Sequence, residues 1–243
     1  MARKHPLTQK DFRYIYDTFK APVARLDCGR KCAPLNGGSP VCCSTDHAVP
    51  VVVKPEWKLL QKRTDLWHGY KPKDKAGRDI VKEAGTSCKA IECKGAAFCE
   101  RDNRTLACRA FPFFPYVSRE KEVIGLATYW DFEDRCWVIS NLRQVTASFV
   151  SECLDAHLYL FERDPEEFET YKDYSATMRK AFSRKKRPII ILTREGQFLK
   201  ELPKKGGVKP ARDKDVKPLG PYKSEKAWKK AVREAEEEFG PAA

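Results

Sequence analysis

Two stretches decide how this chain is read: DCGRKCAPLNGGSPVCCSTD, from Asp27 to Asp46, and SCKAIECKGAAFCERDNRTLACRAFPFFP, from Ser87 to Pro115. Together they hold eight of the 10 cysteines, spaced Cys28-x3-Cys32-x9-Cys42-Cys43 and Cys88-x4-Cys93-x5-Cys99-x8-Cys108; Cys136 and Cys153 stand apart. Thiolates are soft donors that suit zinc and iron–sulfur iron, and a structural site of either kind takes four protein ligands. For thiols gathered in loops this rich in Gly, Pro and charge, ligation is favoured over buried free cysteines acting as small hydrophobes. A zinc ribbon needs paired C-x2-4-C knuckles, and only Cys28/Cys32 qualifies cleanly. In extended backbone Cys42 and Cys43 would point to opposite faces, bridging two sites or leaving one thiol to the core. The spacing therefore predicts an irregular cluster site rather than an ordinary zinc finger. Each group alone can supply one metal or cluster, and only a fold can bring the two groups together.

Outward from these stretches, the chain has 243 residues, a net charge of +13 and 42% hydrophobic residues, enough for one ordinary core and against disorder throughout. No run approaches the roughly 20 apolar residues of a membrane span. The start, MARKHPLTQKDFRYIYDTFK, lacks the apolar core of a signal peptide, so the expected compartment is the cytoplasm. There the reducing environment favours thiolate ligands over disulfides.

Thr8 predicts the start of a helix to about Phe19, with Phe12, Ile15, Tyr16 and Phe19 on one face. Val49 to Val53 reads as a strand that Pro50 confines to an edge or to a strand start, and Pro55 as the opening of a helix. His68 to Gly85 reads as an exposed loop with a helical turn. Glu122 to Tyr129 reads as a strand and Asn141 to Phe161 as a long helix. Pro165 reads as a break before a helix from Phe168 to Phe182. Ile189 to Leu192 and Gln197 to Leu202, joined at Glu195-Gly196, predict a β-hairpin. Lys204 to Tyr222 has linker composition, and Ser224 caps a last amphipathic helix bearing Trp228. The expected fold is α+β: an irregular cysteine-rich metal-binding lobe with helices and a small β-hairpin. Residues 1–203 form the main domain, with a cysteine-rich core 28–136 and a helical and hairpin part 141–203. Residues 204–243 follow as basic linker and tail helix. Because the loops of 28–136 look poor in apolar residues, ligand bonds are expected to replace core burial there.

Two segments resemble a known family. Cys42-Cys43, six residues, then Pro50-Val51-Val52-Val53-Lys54-Pro55-Glu56-Trp57-Lys58-Leu59-Leu60 resembles "CC … PV-x-L-T-x-x-E-x-x-R-L". Arg104-Thr105-Leu106-Ala107-Cys108-Arg109-Ala110-Phe111-Pro112 resembles "R-P-L-A-C-R-x-F-P". Both belong to the YkgJ-like cysteine-cluster family, described as a zinc- or iron-chelating domain with a CxxCxxCC signature and including proteins similar to flagellin lysine N-methylase. The resemblance runs from about Cys28 to Cys136. Here Cys28-x3-Cys32-x9-Cys42-Cys43 replaces the compact signature and Thr105 stands where Pro is usual. The resemblance implies Cys28, Cys32, Cys42, Cys43, Cys88, Cys99 and Cys108 as ligands, with Cys93 and Cys136 in a second rank. It implies iron, as an iron–sulfur cluster of the 4Fe–4S kind, or else zinc.

Other residues carry weaker signals. Arg109, directly after Cys108, is a candidate to donate to a cluster sulfur or hold an anionic substrate. Tyr129 to Asp134 is a polar-aromatic run of the kind that lines a pocket, though an exposed loop with buried rings is the simpler reading. Cys153 and His157 fall four apart on the apolar stripe of a helix, where a core histidine and a packed thiol are expected. His47 is a spare ligand by position. No G-x-G-x-x-G or Walker A loop is present, which weighs against a methylase that binds its cofactor in a glycine-rich loop. Arg179 to Arg187 (RKAFSRKKR) holds six basic residues in nine. It is either a solvated face or a patch for a nucleic acid or acidic partner. The function classes that remain are a metalloenzyme acting on a protein or small molecule, a metal-stabilised interaction module without catalysis, and a nucleic-acid-binding protein.

Overall fold

The computed structural model describes residues 6–204 and 206–240. Helix α1 (Gln9–Thr18) starts at Thr8, whose backbone N–H donates to Asp11 Oδ2 at 2.8 Å, and buries Phe12, Ile15 and Tyr16. A single turn, α2 (Gly29–Cys32), leads into 3-10 turns at 33–35 and 41–43. Next come β1 (Val51–Val53), α3 (Lys54–Arg63), β2 (Trp67–Gly69), α4 (Lys75–Ala84) and β3 (Cys88–Cys93). The three strands form one antiparallel sheet in the order β1-β3-β2, so the cysteine-bearing strand is central and β1, which starts directly after Pro50, is an edge.

Helix α5 (Leu106–Ala110) then runs into the hairpin β4 (Phe113–Val117) and β5 (Val123–Thr128). After the short α6 (Trp137–Ser140) come α7 (Ala147–Arg163), α8 (Pro165–Arg184), β6 (Ile189–Leu192), β7 (Phe198–Glu201), β8 (Val208–Pro210) and α9 (Glu225–Phe239). Strands β4 to β8 make a five-stranded antiparallel sheet in chain order. Alternation along β4 places Phe113 and Phe114 on opposite faces. Phe113 meets Phe149 of α7 at 5.5 Å between ring centroids, while Phe114 meets Tyr174 of α8 at 4.7 Å. The sheet is thus packed between the two helices. The main core joins α1, α3, α7 and the three-stranded sheet; a smaller one lies under α8. At Gly125 a Cβ would come within 2.6 Å of Leu192 O, so a glycine there lets β5 approach β6.

The α+β class is as expected, and the elements differ in four places. His68 to Gly85 holds β2 and the ten-residue α4, begun by Asp74, whose Oδ1 accepts from Gly77 N at 2.7 Å. The long helix starts at Ala147 rather than Asn141, because Thr146 Oγ1 accepts from Phe149 N and residues 142–144 form a 3-10 turn. The break at Pro165 does separate α7 from α8, but α8 begins at Pro165 itself rather than at Phe168, with the proline in the first-turn position where its missing N–H costs nothing. The lysine-rich stretch after 204 forms β8 on the edge of β7 and folds back onto the body. Lys200 Nζ lies 2.6 Å from Asp215 Oδ2, and Ser140 Oγ donates to Leu219 O at 2.7 Å. Segment 28–136 also buries more than its loops suggested: Val41, Val52, Leu59, Leu60, Leu66 and Ile91 are all within the main core.

Candidate metal centre

Five separate pieces of chain bring cysteines to one region. Cys28 and Cys32 flank the α2 turn, Cys42 and Cys43 share the turn at 41–43, and Cys93 ends β3 with Cys99 just beyond it. Cys108 lies on α5, and Cys136 comes directly before α6. Two cavities lie among them. One, of about 150 Å³, is lined by Cys28, Cys32, Cys42, Cys43, Cys108 and Cys136. The other, of about 70 Å³, is lined by Cys42, Cys43, Cys93, Cys99 and Cys108. They share Cys42, Cys43, Cys108 and the side chain of Arg104.

Burial disfavours the charged form of Cys28, Cys108 and Cys136. It pushes Cys28 up to about 11, with Cys32 adding to the effect, and Cys108 and Cys136 each up to about 12. Cys42 and Cys43 form a pair, Sγ to Sγ 4.0 Å. The hydrogen bond between them lowers Cys43 to about 7 against the cost of burial, with Arg104 adding its charge. The same bond, burial and the neighbouring Cys32 and Cys136 raise Cys42. Deprotonating Cys28, Cys42, Cys108 and Cys136 therefore calls for a cation in their midst.

Arg104 is such a cation, and the sequence did not single it out. Its Nε donates to Cys99 Sγ at 3.1 Å, and its charge bears on Cys42 and Cys43 as well. The signal was present in the same Arg104–Pro112 segment, four residues before Cys108. Arg109 is placed otherwise than expected. It lines the larger cavity, but its guanidinium donates to the carbonyls of Phe19, Arg104 and Asp102, and it lies 4.5 Å over the Tyr16 ring. With its donors engaged by backbone, it clamps three segments together and bonds no sulfur. Beneath α5, buried Glu56 accepts at Oε1 from Leu106 N and from Tyr16 Oη, each at 2.7 Å, and so fixes the start of the helix that carries Cys108.

Strand geometry separates Cys88 from Cys93. They lie at opposite ends of β3, paired with Val53 and Trp67, roughly 17 Å apart at 3.3–3.4 Å per residue. Cys93 lines the smaller cavity. Cys88 is near Ser87, with Glu167, Asp164 and Glu56 the charges that bear on it. Cys153 is fully buried in α7. His157 Nδ1 donates to Cys153 O at 2.7 Å, and burial lowers His157 to about 4, as fits a neutral core histidine. His47 Nδ1 meets Arg135 at 3.1 Å. In the polar-aromatic run, Tyr129 and Trp130 pack on Tyr174, and Glu133 binds Arg187 through both oxygens. Of the basic run, Arg179 is buried against Tyr116 and Val117, leaving Lys180, Arg184, Lys185 and Lys186 exposed.

The donor set is all sulfur where it converges, which fits a soft metal. Among the described residues, no three His, Cys, Asp or Glu side chains are close enough together to grip a single ion as they stand. No helix among the described residues is long and apolar enough to cross a membrane. Compared with protein-family models, curated proteins and solved structures, the chain matches none.

Proposed function

We propose that this chain is a metal-binding protein whose clustered cysteines hold iron in an iron–sulfur cluster, with zinc as the alternative metal. One observation carries the reading: eight of the ten thiols, from segments over 100 residues apart in sequence, line two adjoining cavities with an arginine between them. Hydrophobic packing alone does not select cysteine at eight converging positions. The wide spacing of the donors favours a cluster, whose body stands between its thiolates, over a single ion at about 2.3 Å from each sulfur. Cys28, Cys32, Cys42, Cys43, Cys93, Cys99, Cys108 and Cys136 are the proposed ligands.

The test is metal and sulfide analysis of protein purified without oxygen, with an absorption spectrum. Iron with acid-labile sulfide and a band near 400 nm supports the cluster; zinc without sulfide supports the alternative. Cys108→Ser should lower the metal content, while Cys153→Ala should leave it intact. Protein that takes up neither metal on anaerobic reconstitution would sink the proposal. Full coordination by cysteine points to a structural or interaction role, and a position open to solvent or substrate points to an enzyme.

A further inference from the structure

The C-terminal tail is anchored on the residues that come directly before two of the buried cysteines. Arg135 O, next to Cys136, accepts from Tyr222 Oη at 3.2 Å, and Lys31 O, next to Cys32, accepts from Trp228 Nε1 at 3.0 Å. Asn36 joins the same two places, its Nδ2 donating to Cys32 O at 2.7 Å and to Arg135 O at 3.2 Å. Tyr222 is buried in one cluster with Cys32 and Cys136, each 4% exposed, and Trp228 packs against that cluster. The two anchors differ in strength. Around Tyr222 the chain is fixed: Ser140 Oγ donates to Leu219 O and accepts from Leu219 N, and a Cβ on Gly220, at φ +53°, would come within 3.0 Å of Asp134 Cα. Helix α9 is held more lightly. None of its residues is fully buried, and its ion pairs among the described residues, Lys229–Glu225 and Lys230–Glu234, are internal to it.

We propose that the tail is a regulatory clasp: α9, docked through Trp228, holds the α2 turn against residues 135–136, and its release opens Cys32 and Cys136 to solvent while the body stays folded. The α2 turn has four residues and cannot hold its own shape, so what lies against it decides how often it opens. A helix of 15 residues is itself marginal once undocked, and undocking uncovers only a half-buried indole and a stripe of small side chains. That opening costs far less than unfolding the sheet, so it is the first to occur. The coupling runs both ways: whatever draws α9 away exposes the two thiols, and whatever binds the two thiols holds α9 down. Cys93 and Cys99 lie on a segment that the tail does not anchor, and Cys153 is sealed inside α7, so neither group follows the clasp. The clasp rests on these contacts alone and holds whether or not the thiols carry metal.

The probe is N-ethylmaleimide, given in timed pulses to reduced, metal-free full-length protein, with the labelling of each cysteine read by peptide mass spectrometry. Trp228→Ala should speed labelling of Cys32 and Cys136 by about tenfold or more, and leave Cys93, Cys99 and Cys153 at their wild-type rates. Cys153 monitors global unfolding. Acceleration of Cys153 in step with Cys32 overturns the clasp, because the substitution then acts through overall stability. Equal acceleration of Cys93 and Cys99 overturns it too, because the cysteine region then loosens as one. Unchanged rates at Cys32 and Cys136 mean that reagent reaches them without the tail, by way of the larger cavity, and also overturn it. Wild type alone supplies a check that needs no variant to fold. In urea below the unfolding transition, the Cys32 rate should stay nearly flat, since undocking a helix exposes little surface, while the Cys153 rate climbs steeply. A Cys32 rate that climbs in parallel with Cys153 overturns the proposal.

Discussion

Glu56 shows how one buried carboxyl can tie the stability of this fold to pH. It is 4% exposed, and burial pushes it up to about 7 from an ordinary 4.5, against the lowering effect of its bonds from Leu106 N and Tyr16. A carboxyl whose pKa rises on folding stabilises the folded state below its unfolded value and loses that contribution as pH climbs through the folded value. Between about 4.5 and 7 the wild-type protein should therefore lose stability from this residue, on the order of 3 kcal/mol at full ionisation. Glu56→Gln keeps an acceptor for both donors and removes the charge, so its urea midpoint should be flatter across this window and higher than wild type above it. An unchanged pH profile in Glu56→Gln would show that Glu56 is not the titrating group. Arg109 directly follows Cys108, yet its donors go to three carbonyls; Arg104, four residues before Cys108, reaches the Cys99 sulfur. On α5 the side chains of Cys108 and Arg109 leave the helix about 100° apart, so the arginine next to that cysteine faces elsewhere.

Among the elements, α9 is held by its first turns. Ser224 Oγ accepts from Ala227 N at 3.1 Å, and Trp228 Nε1 donates to Lys31 O at 3.0 Å while the Lys31 ammonium lies 4.4 Å from the ring centroid. Further along, Phe239 is 72% exposed. The tail helix thus docks on its own chain, against the turn that carries Cys32. Trp228→Ala should cost about 1–3 kcal/mol in chemical denaturation, less than a core tryptophan because the ring is half-buried. A change below 0.5 kcal/mol would mean the helix is not docked in solution. Legibility followed the source of each element's stability. Helices α1 and α7 and the β6–β7 hairpin carry their own apolar pattern and were readable to within a few residues, α7 apart at its start. Strand β3, Cys-Lys-Ala-Ile-Glu-Cys, has little pattern of its own and owes its extended form to pairing on both sides with β1 and β2. Strand β8 is fully exposed and exists through its ladder with β7, so linker composition concealed it. Which cysteines meet was unreadable for the same reason: the opposite ends of β3 part Cys88 from Cys93, and only the pairing fixes those ends. The basic run reads as a charge patch, but Arg179 and Arg187 are engaged with Tyr116, Val117 and Glu133. Any phosphate backbone would meet the four remaining cations, with a correspondingly weaker salt dependence.

At the scale of the molecule, metal and core act on different parts of the structure. The cysteine-bearing segments 27–46 and 94–104 are tied mainly by local turns, such as Cys43 N to Pro40 O at 2.8 Å and Asn103 N to Glu100 O at 2.9 Å. The five-stranded sheet has its own ladder and is packed on both faces by α7 and α8. Beneath the cysteines, Val41, Leu66, Trp67 and Val138 supply apolar burial that does not depend on ligands. Removing the proposed metal should therefore loosen a region rather than unfold the chain. Metal present at a hundredfold excess over its dissociation constant adds about 2.7 kcal/mol to the state that binds it. That increment falls on local openings of the two cysteine segments, since these openings break the site while leaving the sheet intact. Hydrogen exchange before and after anaerobic chelation reads this directly. Amides of 27–46 and 94–104 should exchange up to about a hundredfold faster in the metal-free protein, while those of β5, β6 and β7 keep their protection. Uniform acceleration through the sheet would instead mean that ligand bonds replace core burial throughout, as the composition of the cysteine loops alone suggests.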